Sequence, residues 1–512
     1  MDGTRPLVHP DHRRALPIGR NHASSIFPPE KAKGFRTRRW TVGGAMSTDQ
    51  RGLATSGSPE AVASFDRAMD HLVRFQIEVV EEAAKAAASD PSCVVGTLLR
   101  AYLSLMSTEE SDVKKAQDAL TALSIAETDL LPRERAHLEA ASRWIAGDMT
   151  GAGASLDAIS VEHPRDLLAL AVGHQIDFFT GNARNLRDRI GRAMYAWGRD
   201  DPQLGFVQGM YAFGLEECNL YGQSEEIGQQ SVEANAEDVW GIHAVVHTYE
   251  MQGQIPEGVR FMKARETDWA TGNFLNVHNS WHYALYLLQG GDVSGALDVY
   301  DRVLHHEESE DVALELLDAT ALLWRLHLEG TPVGDRWPAL AEAWARTLSP
   351  GYYPFNDMHA VMAFVGSGDL ARAGELVSTL ERFVETGDQA TSGWQMTANV
   401  GLPVCRSIVH FATGDYHLVV DELLPRRGRF HEFGGSHAQR DAIERTLLEA
   451  AMRAHLNDIA LALVSERLAV REASSYAWLK RAQVLGHTAD RAESESANAR
   501  AKSIAASIRA VE

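Results

Sequence analysis

From Ser58 onward apolar residues return at helical spacing almost without a break, so that one face after another is set against a core. Ser58-Pro59 has the form of a helix start, a hydroxyl cap followed by proline in the first turn. Asp90-Pro91 and Leu131-Pro132 predict further starts of the same type. No window alternates strictly between apolar and polar residues with hairpin turns at its ends, so strands are not expected.

The helical runs share a punctuation. They end at Ala146-Gly147-Asp148, Thr180-Gly181-Asn182, Tyr221-Gly222-Gln223 and Gln252-Gly253-Gln254. The series continues through Gly290-Gly291-Asp292, Glu329-Gly330, Ser367-Gly368-Asp369 and Thr413-Gly414-Asp415, with Leu456-Asn457-Asp458 as a last member. Glycine supplies the left-handed backbone that stops a helix, and the Asp or Asn after it can cap the next one. Successive stops lie 31 to 46 residues apart, the length of a helical hairpin. Such a hairpin cannot bury its apolar face alone, so neighbours must stack. The expected fold is all-α, an α-solenoid of tetratricopeptide-like hairpins over 46–512, its last hairpins from Asn457 acting as a cap.

Composition changes this picture at one end only. Residues 1–45 hold nine Lys/Arg against three Asp/Glu and show no periodic apolar face. They are expected to be a disordered basic tail or the product of an upstream start, since Met46 opens a more typical beginning. The net charge of -21 argues against nucleic acid or an anionic membrane as the main partner. No apolar run approaches the roughly 18 residues that span a bilayer. The three cysteines, Cys93, Cys218 and Cys405, are widely spaced, which excludes a disulfide framework and suits a reducing, cytoplasmic compartment.

The chemistry concentrates between Trp240 and His282, in two His-x-x-x-His pairs, His243/His247 and His278/His282. Residues four apart share a helix face, and Glu250 falls on the face of the first pair. Neutral imidazoles and carboxylates suit a divalent transition metal, which makes His243, His247, Glu250, His278 and His282 a candidate ligand set. Position 244 is Ala, so the general base of an H-E-x-x-H protease is missing. Counted back from each stop, His243, His278, Asp318 and Asp357 fall ten to twelve residues before it, in the first helix of their hairpins. They are expected to form a ladder on the concave face, and a histidine beside Asp318 or Asp357 could serve as an acid–base pair. The alternative is a hydrogen-bonded network between repeat helices.

Two further stretches bear on ligand binding. Gly434-Gly435-Ser436-His437-Ala438-Gln439-Arg440 could offer backbone N–H groups and Arg440 to an anion, although Ser436 with Gln439 also makes a capping box. Trp240, Trp269, Phe274, Trp281, Trp324, Tyr352, Tyr353 and Phe355 could wall a pocket, the last three being the better candidates because they sit in a Pro/Gly turn.

Ala244–His282 and the runs FNDMHAVMAF (355–364), GLPVCRSIVHF (401–411) and GGSHAQRD (434–441) resemble the tetratricopeptide repeat protein 38 family, as a bacterial-type member, from about residue 46 to the end. The resemblance implies an all-helical repeat protein and brings no established activity with it. Two classes of function follow. The first is a protein binding a small polar or anionic ligand, or a protein partner, through His243, His247, His278, His282, Asp357, His359, Ser436, His437 and Arg440. The second is an enzyme, possibly metal-dependent, built on the same histidines.

Overall fold

The computed structural model describes residues 46–123, 130–487 and 491–511; the 1–45 segment lies outside them. The architecture is an α-solenoid of stacked helical hairpins. One short exception departs from the sequence reading. Met46–Thr48 pairs antiparallel with Ala54–Ser56. Its anchors are non-local: Ser56 donates its N–H and hydroxyl to the Glu134 carboxylate at 2.8 and 2.7 Å, while Asp49 Oδ1 accepts from the N–H groups of Arg51 and Leu53 in the turn. Strands of three residues held in this way leave no periodic signature.

Most of the helix signals act as written. Ser58 caps Pro59–Val73, its side chain accepting from Ala61 N–H, and Pro132 opens Pro132–Ile145. Asp90-Pro91 does not start a helix: Asp90 closes Glu78–Ser89 and accepts from Ser58 and Ser92 instead. Glycines 147, 181, 253, 291, 330, 368 and 414 all adopt positive φ at helix ends. Asp148, Asn182, Asp292 and Asp369 cap the helices that follow. Gly222 is different, because it lies inside Tyr221–Ala234 and the left-handed residue is Asn219, φ 60°. The last stop likewise falls on His455, φ 57°, not on Asn457.

The solenoid curls until early and late repeats meet. Ser392 N–H donates to Gly147 O at 2.9 Å, Tyr353 Oη to Phe179 O at 3.2 Å, and Asn356 Nδ2 to Thr108 O at 3.1 Å. Gly434 sits at this seam with φ 88°, where a Cβ would lie 2.3 Å from Tyr353 Oη and 2.5 Å from Phe179 O. Immediately after it, the helix His437–Arg453 runs through the interior and packs on Val239–Gln252 and Ala313–Leu328. It is buried on nearly every side, which is why its amphipathic pattern is weak. The final helix, Arg491–Arg509, lays Ala497, Ala501, Ile504 and Ile508 against the Ser475–Gly486 and Asn276–Gly290 helices. No helix among the described residues is long and apolar enough to cross a membrane.

Candidate functional site

The helices Val239–Gln252 and Asn276–Gly290 carry the two histidine pairs into one buried cluster. Ring centroids lie 4.4 Å apart for His243/His247, 4.3 Å for His247/His282 and 4.9 Å for His278/His282. One ring nitrogen from each of the four comes within 4.8 Å of the others. The helical period aligns each pair, and the hairpin between them places the pairs side by side.

Carboxylates stand behind three of the rings. Asp318, on Ala313–Leu328, meets His278 Nδ1 at 2.8 Å. Glu250 Oε2 meets His282 Nδ1 at 2.9 Å, so this residue lies behind a histidine rather than among the ring nitrogens. Glu216, at the end of Leu204–Glu217, has Oε2 3.6 Å from His247 Nδ1. A carboxylate on Nδ1 selects the tautomer that carries its proton there and turns the Nε2 lone pair inward. His278 Nε2 and His243 Nε2 accordingly face each other at 3.0 Å. His247 Nδ1 and Nε2, His282 Nε2 and His243 Nδ1 are buried with no hydrogen-bond partner among the described residues. An unpaired buried polar atom costs about 1–3 kcal/mol, so several in one cluster call for a shared partner.

Burial, reinforced by the neighbouring imidazoles, holds His243, His247 and His282 well below the ordinary histidine value, which keeps them neutral and able to ligate. Burial pushes the Glu250 carboxyl up to about 7 against the pull of Arg471 and Arg325. Glu216 is likewise raised by burial and by its neighbour Glu217. For Glu217 burial is outweighed by His437 and Arg440, which hold it below its usual range.

His243, His278 and Asp318 also form the polar floor of a chamber of about 450 Å³. The sequence predicted a polar ladder along the groove, but the chamber wall is apolar, formed by residues such as Leu103, Phe178, Phe206, Met210 and Leu317. Asp357 is not a rung. It is buried elsewhere, accepting from Gly351 N–H at 3.0 Å, and burial pushes its carboxyl up to about 8. His359 bonds the Phe355 carbonyl one turn back at 2.8 Å and does not line the chamber. Among the aromatic candidates, Trp240, Phe274, Tyr353 and Phe355 line it, while Tyr352 does not and Trp281 and Trp324 are fully buried in the core.

The anion-binding reading of the 434–440 turn meets an internal competitor. Ser436 and Gln439 make the reciprocal capping box. Arg440 Nη1 donates to the Gly435 carbonyl, and Glu217 accepts from His437 N–H at 2.8 Å and Arg440 Nη2 at 3.1 Å, with His437 Nδ1 3.4 Å from Glu216. Arg440 therefore pairs with Glu217, not with Asp441 or Glu444 on its own helix. Glu216 and Glu217 are site residues that the sequence patterns do not single out. Two adjacent acids closing the apolar run LGFVQGMYAFGLEE were the available signal.

No protein-family model matches the chain. Among solved structures, the human IFIT1 dimer with m7Gppp-AAAA aligns over 91% of this chain and 97% of its own, at 12% identity and a TM-score of 0.40. The TPR domain of P58(IPK) aligns over 74% and 97%, at 11% identity and a TM-score of 0.20. Likeness at this level carries no argument about ligands. By its own helices and repeat punctuation, the chain is an all-α helical-repeat protein of tetratricopeptide-like architecture.

Proposed function

We propose that this is a metal-binding helical-repeat protein in which His243, His247, His278 and His282 hold one divalent transition ion at the floor of a small-ligand chamber. The observation that carries the reading is the orientation of the rings. Carboxylates hold the Nδ1 side of His278 and His282, Glu216 lies 3.6 Å from His247 Nδ1, and one ring nitrogen from each of the four histidines is left within 4.8 Å of the others. Four neutral imidazoles suit zinc, iron(II), copper or nickel better than magnesium or calcium. Histidine–carboxylate pairs are the usual means of orienting metal-bound imidazoles. His243 Nε2 and His278 Nε2 already share a hydrogen bond at 3.0 Å, but both ring nitrogens of His247 and the Nε2 of His282 are left over, unlike His359, which bonds the Phe355 carbonyl.

The reading is of a binding protein for metal and small ligand, with a protein partner left open, without nucleic acid or membrane as a partner, and within the cytoplasm. Catalysis is the second reading. It is favoured by the His278–Asp318 pair at 2.8 Å on the chamber floor, which could move a proton at His278 Nε2 when that nitrogen is not holding an ion. We also propose, from the resemblance of Ala244–His282 and the runs at 355–364, 401–411 and 434–441, that the chain is a member of the tetratricopeptide repeat protein 38 family.

Cobalt(II) tests the site directly, because its visible absorption reports nitrogen ligation. Chelator-treated protein titrated with cobalt(II) should show a band that saturates at one equivalent, absent in the variant carrying His247→Gln and His282→Gln. Absorption that neither saturates nor depends on these residues would sink the proposal.

A further inference from the structure

The chamber is not shaped for the polar or anionic ligand expected from the sequence. Its walls are apolar, and no Lys or Arg lines it among the described residues, while Glu310, Glu315 and Asp318 do. An anionic headgroup would lose its water and gain no counter-charge there. The polar groups at the inner end are specific. Asp318 gives Oδ2 to His278, and its Oδ1 is buried with no partner among the described residues, an acceptor that a hydroxyl would satisfy.

The mouth is unusual for an exposed surface. Ile77 (69% exposed), Val80 (52%), Phe274 (45%), Leu314 (40%) and Val312 (37%) are among the most exposed large apolar residues of those described, and all five line this chamber. A clustered apolar rim marks a binding site where scattered apolar residues would not. Beside it, Phe75 is held in the left-handed region at φ 56°, a costly backbone for a bulky residue. Its ring stacks on Trp240 at 5.4 Å and its carbonyl accepts from Phe274 N–H at 2.9 Å. The stack and the hydrogen bond hold Phe75 in that backbone and build an aromatic wall between rim and floor.

We infer that the chamber binds an uncharged, hydroxyl-bearing apolar molecule, which enters past the Ile77–Phe274–Val312 rim and sets its hydroxyl against Asp318 beside His243 and His278. At about 30 Å³ per water-sized group, the volume takes roughly fifteen such groups, the size of a medium-chain alcohol or a compact terpenoid or sterol fragment. The inference deepens the ligand half of the proposed function. It shares two histidines with the metal centre but does not need the ion.

The probe is Nile red, an uncharged dye that brightens in apolar surroundings, measured on chelator-treated and on zinc-loaded protein. Saturable binding is expected, with displacement by 1-dodecanol at a concentration about tenfold lower than for dodecanoate or dodecylamine. Asp318→Leu, which removes the acceptor, should erase the preference for the alcohol, and Ala171→Trp, which fills the chamber, should abolish dye binding at unchanged helix content. Should Ala171→Trp fail to fold, Phe274→Ser on the exposed rim should weaken the dye severalfold. Better displacement by the amine or the carboxylate, or dye binding that survives Ala171→Trp or Phe274→Ser unchanged, would overturn the inference. Nile red binding in a protein that takes up no zinc would leave this inference standing and remove the metal centre.

Discussion

At the scale of single residues, the site is a set of buried imidazoles whose tautomers are fixed from outside. Glu250 and Asp318 do not enter the cluster; they decide which nitrogen of His282 and His278 faces it. Removing such a partner typically weakens a metal by about 10- to 100-fold, so Glu250→Gln and Asp318→Asn should each lower zinc affinity by that order in a competition titration while the protein stays folded. The pH dependence follows from Glu250. Below about pH 7 its carboxyl keeps a proton that an ion must expel, and above about pH 7 it is already ionised. Affinity should therefore climb as pH rises through about 7 and level off above it, with protons released on binding at the lower pH. A flat profile across that range would contradict the role given to Glu250. The histidine pairs were legible because a four-residue spacing is a property of one helix. Glu216 and Glu217 were not, because they reach His247 and His437 from helices separate in sequence. Asp357 shares a register with Asp318, but register does not say where a side chain turns, and Asp357 turns to Gly351.

At the scale of the element, the helix His437–Arg453 has a start marked by the Ser436–Gln439 capping box, but its burial is not visible in the sequence. It lies inside the superhelix, so its polar residues have buried partners rather than solvent. Asp441 receives Arg445 at 2.6 Å, Arg467, and Arg471 at 3.4 Å, with Arg325 at 3.9 Å. Those guanidinium groups hold its carboxyl well below the carboxylate range in spite of burial. Asp441→Asn would leave several buried cations sharing one lost anion, and should cost about 3–5 kcal/mol in a denaturant melt. A loss below about 1 kcal/mol would mean that water or relaxation supplies the missing charge. The stops show how far local chemistry carries. Glycine stops were correct wherever the residue after the run takes positive φ, and Tyr221-Gly222 failed because Asn219 had already taken that role.

At the scale of the whole molecule, repeat length and punctuation predicted an α-solenoid, but they did not predict how far it curls. Closure depends on pairs such as Tyr353–Phe179 and Ser392–Gly147, each more than 150 residues apart in sequence. It converts an open groove into a chamber with mostly apolar walls, which is why the ligand expectation moves from polar to apolar. Gly434→Ala would push a methyl group into Tyr353 Oη and Phe179 O at the seam. It should destabilise the protein by about 1–3 kcal/mol and weaken ligand retention in the chamber, read by thermal melts and by dye off-rate. An ion held across two repeats should also stabilise the fold as a whole, by about 2.7 kcal/mol at a hundredfold excess over Kd, so chelation should lower Tm.

The most direct measurement is the metal content of tag-free protein after extensive dialysis, by inductively coupled plasma mass spectrometry, beside the His247→Gln, His282→Gln double variant. The account predicts close to one equivalent of a single transition metal per chain, lost in the folded double variant. A metal-free protein that also takes up no zinc, cobalt or iron(II) when these are supplied, or one whose metal is unaffected by the double substitution, would contradict it.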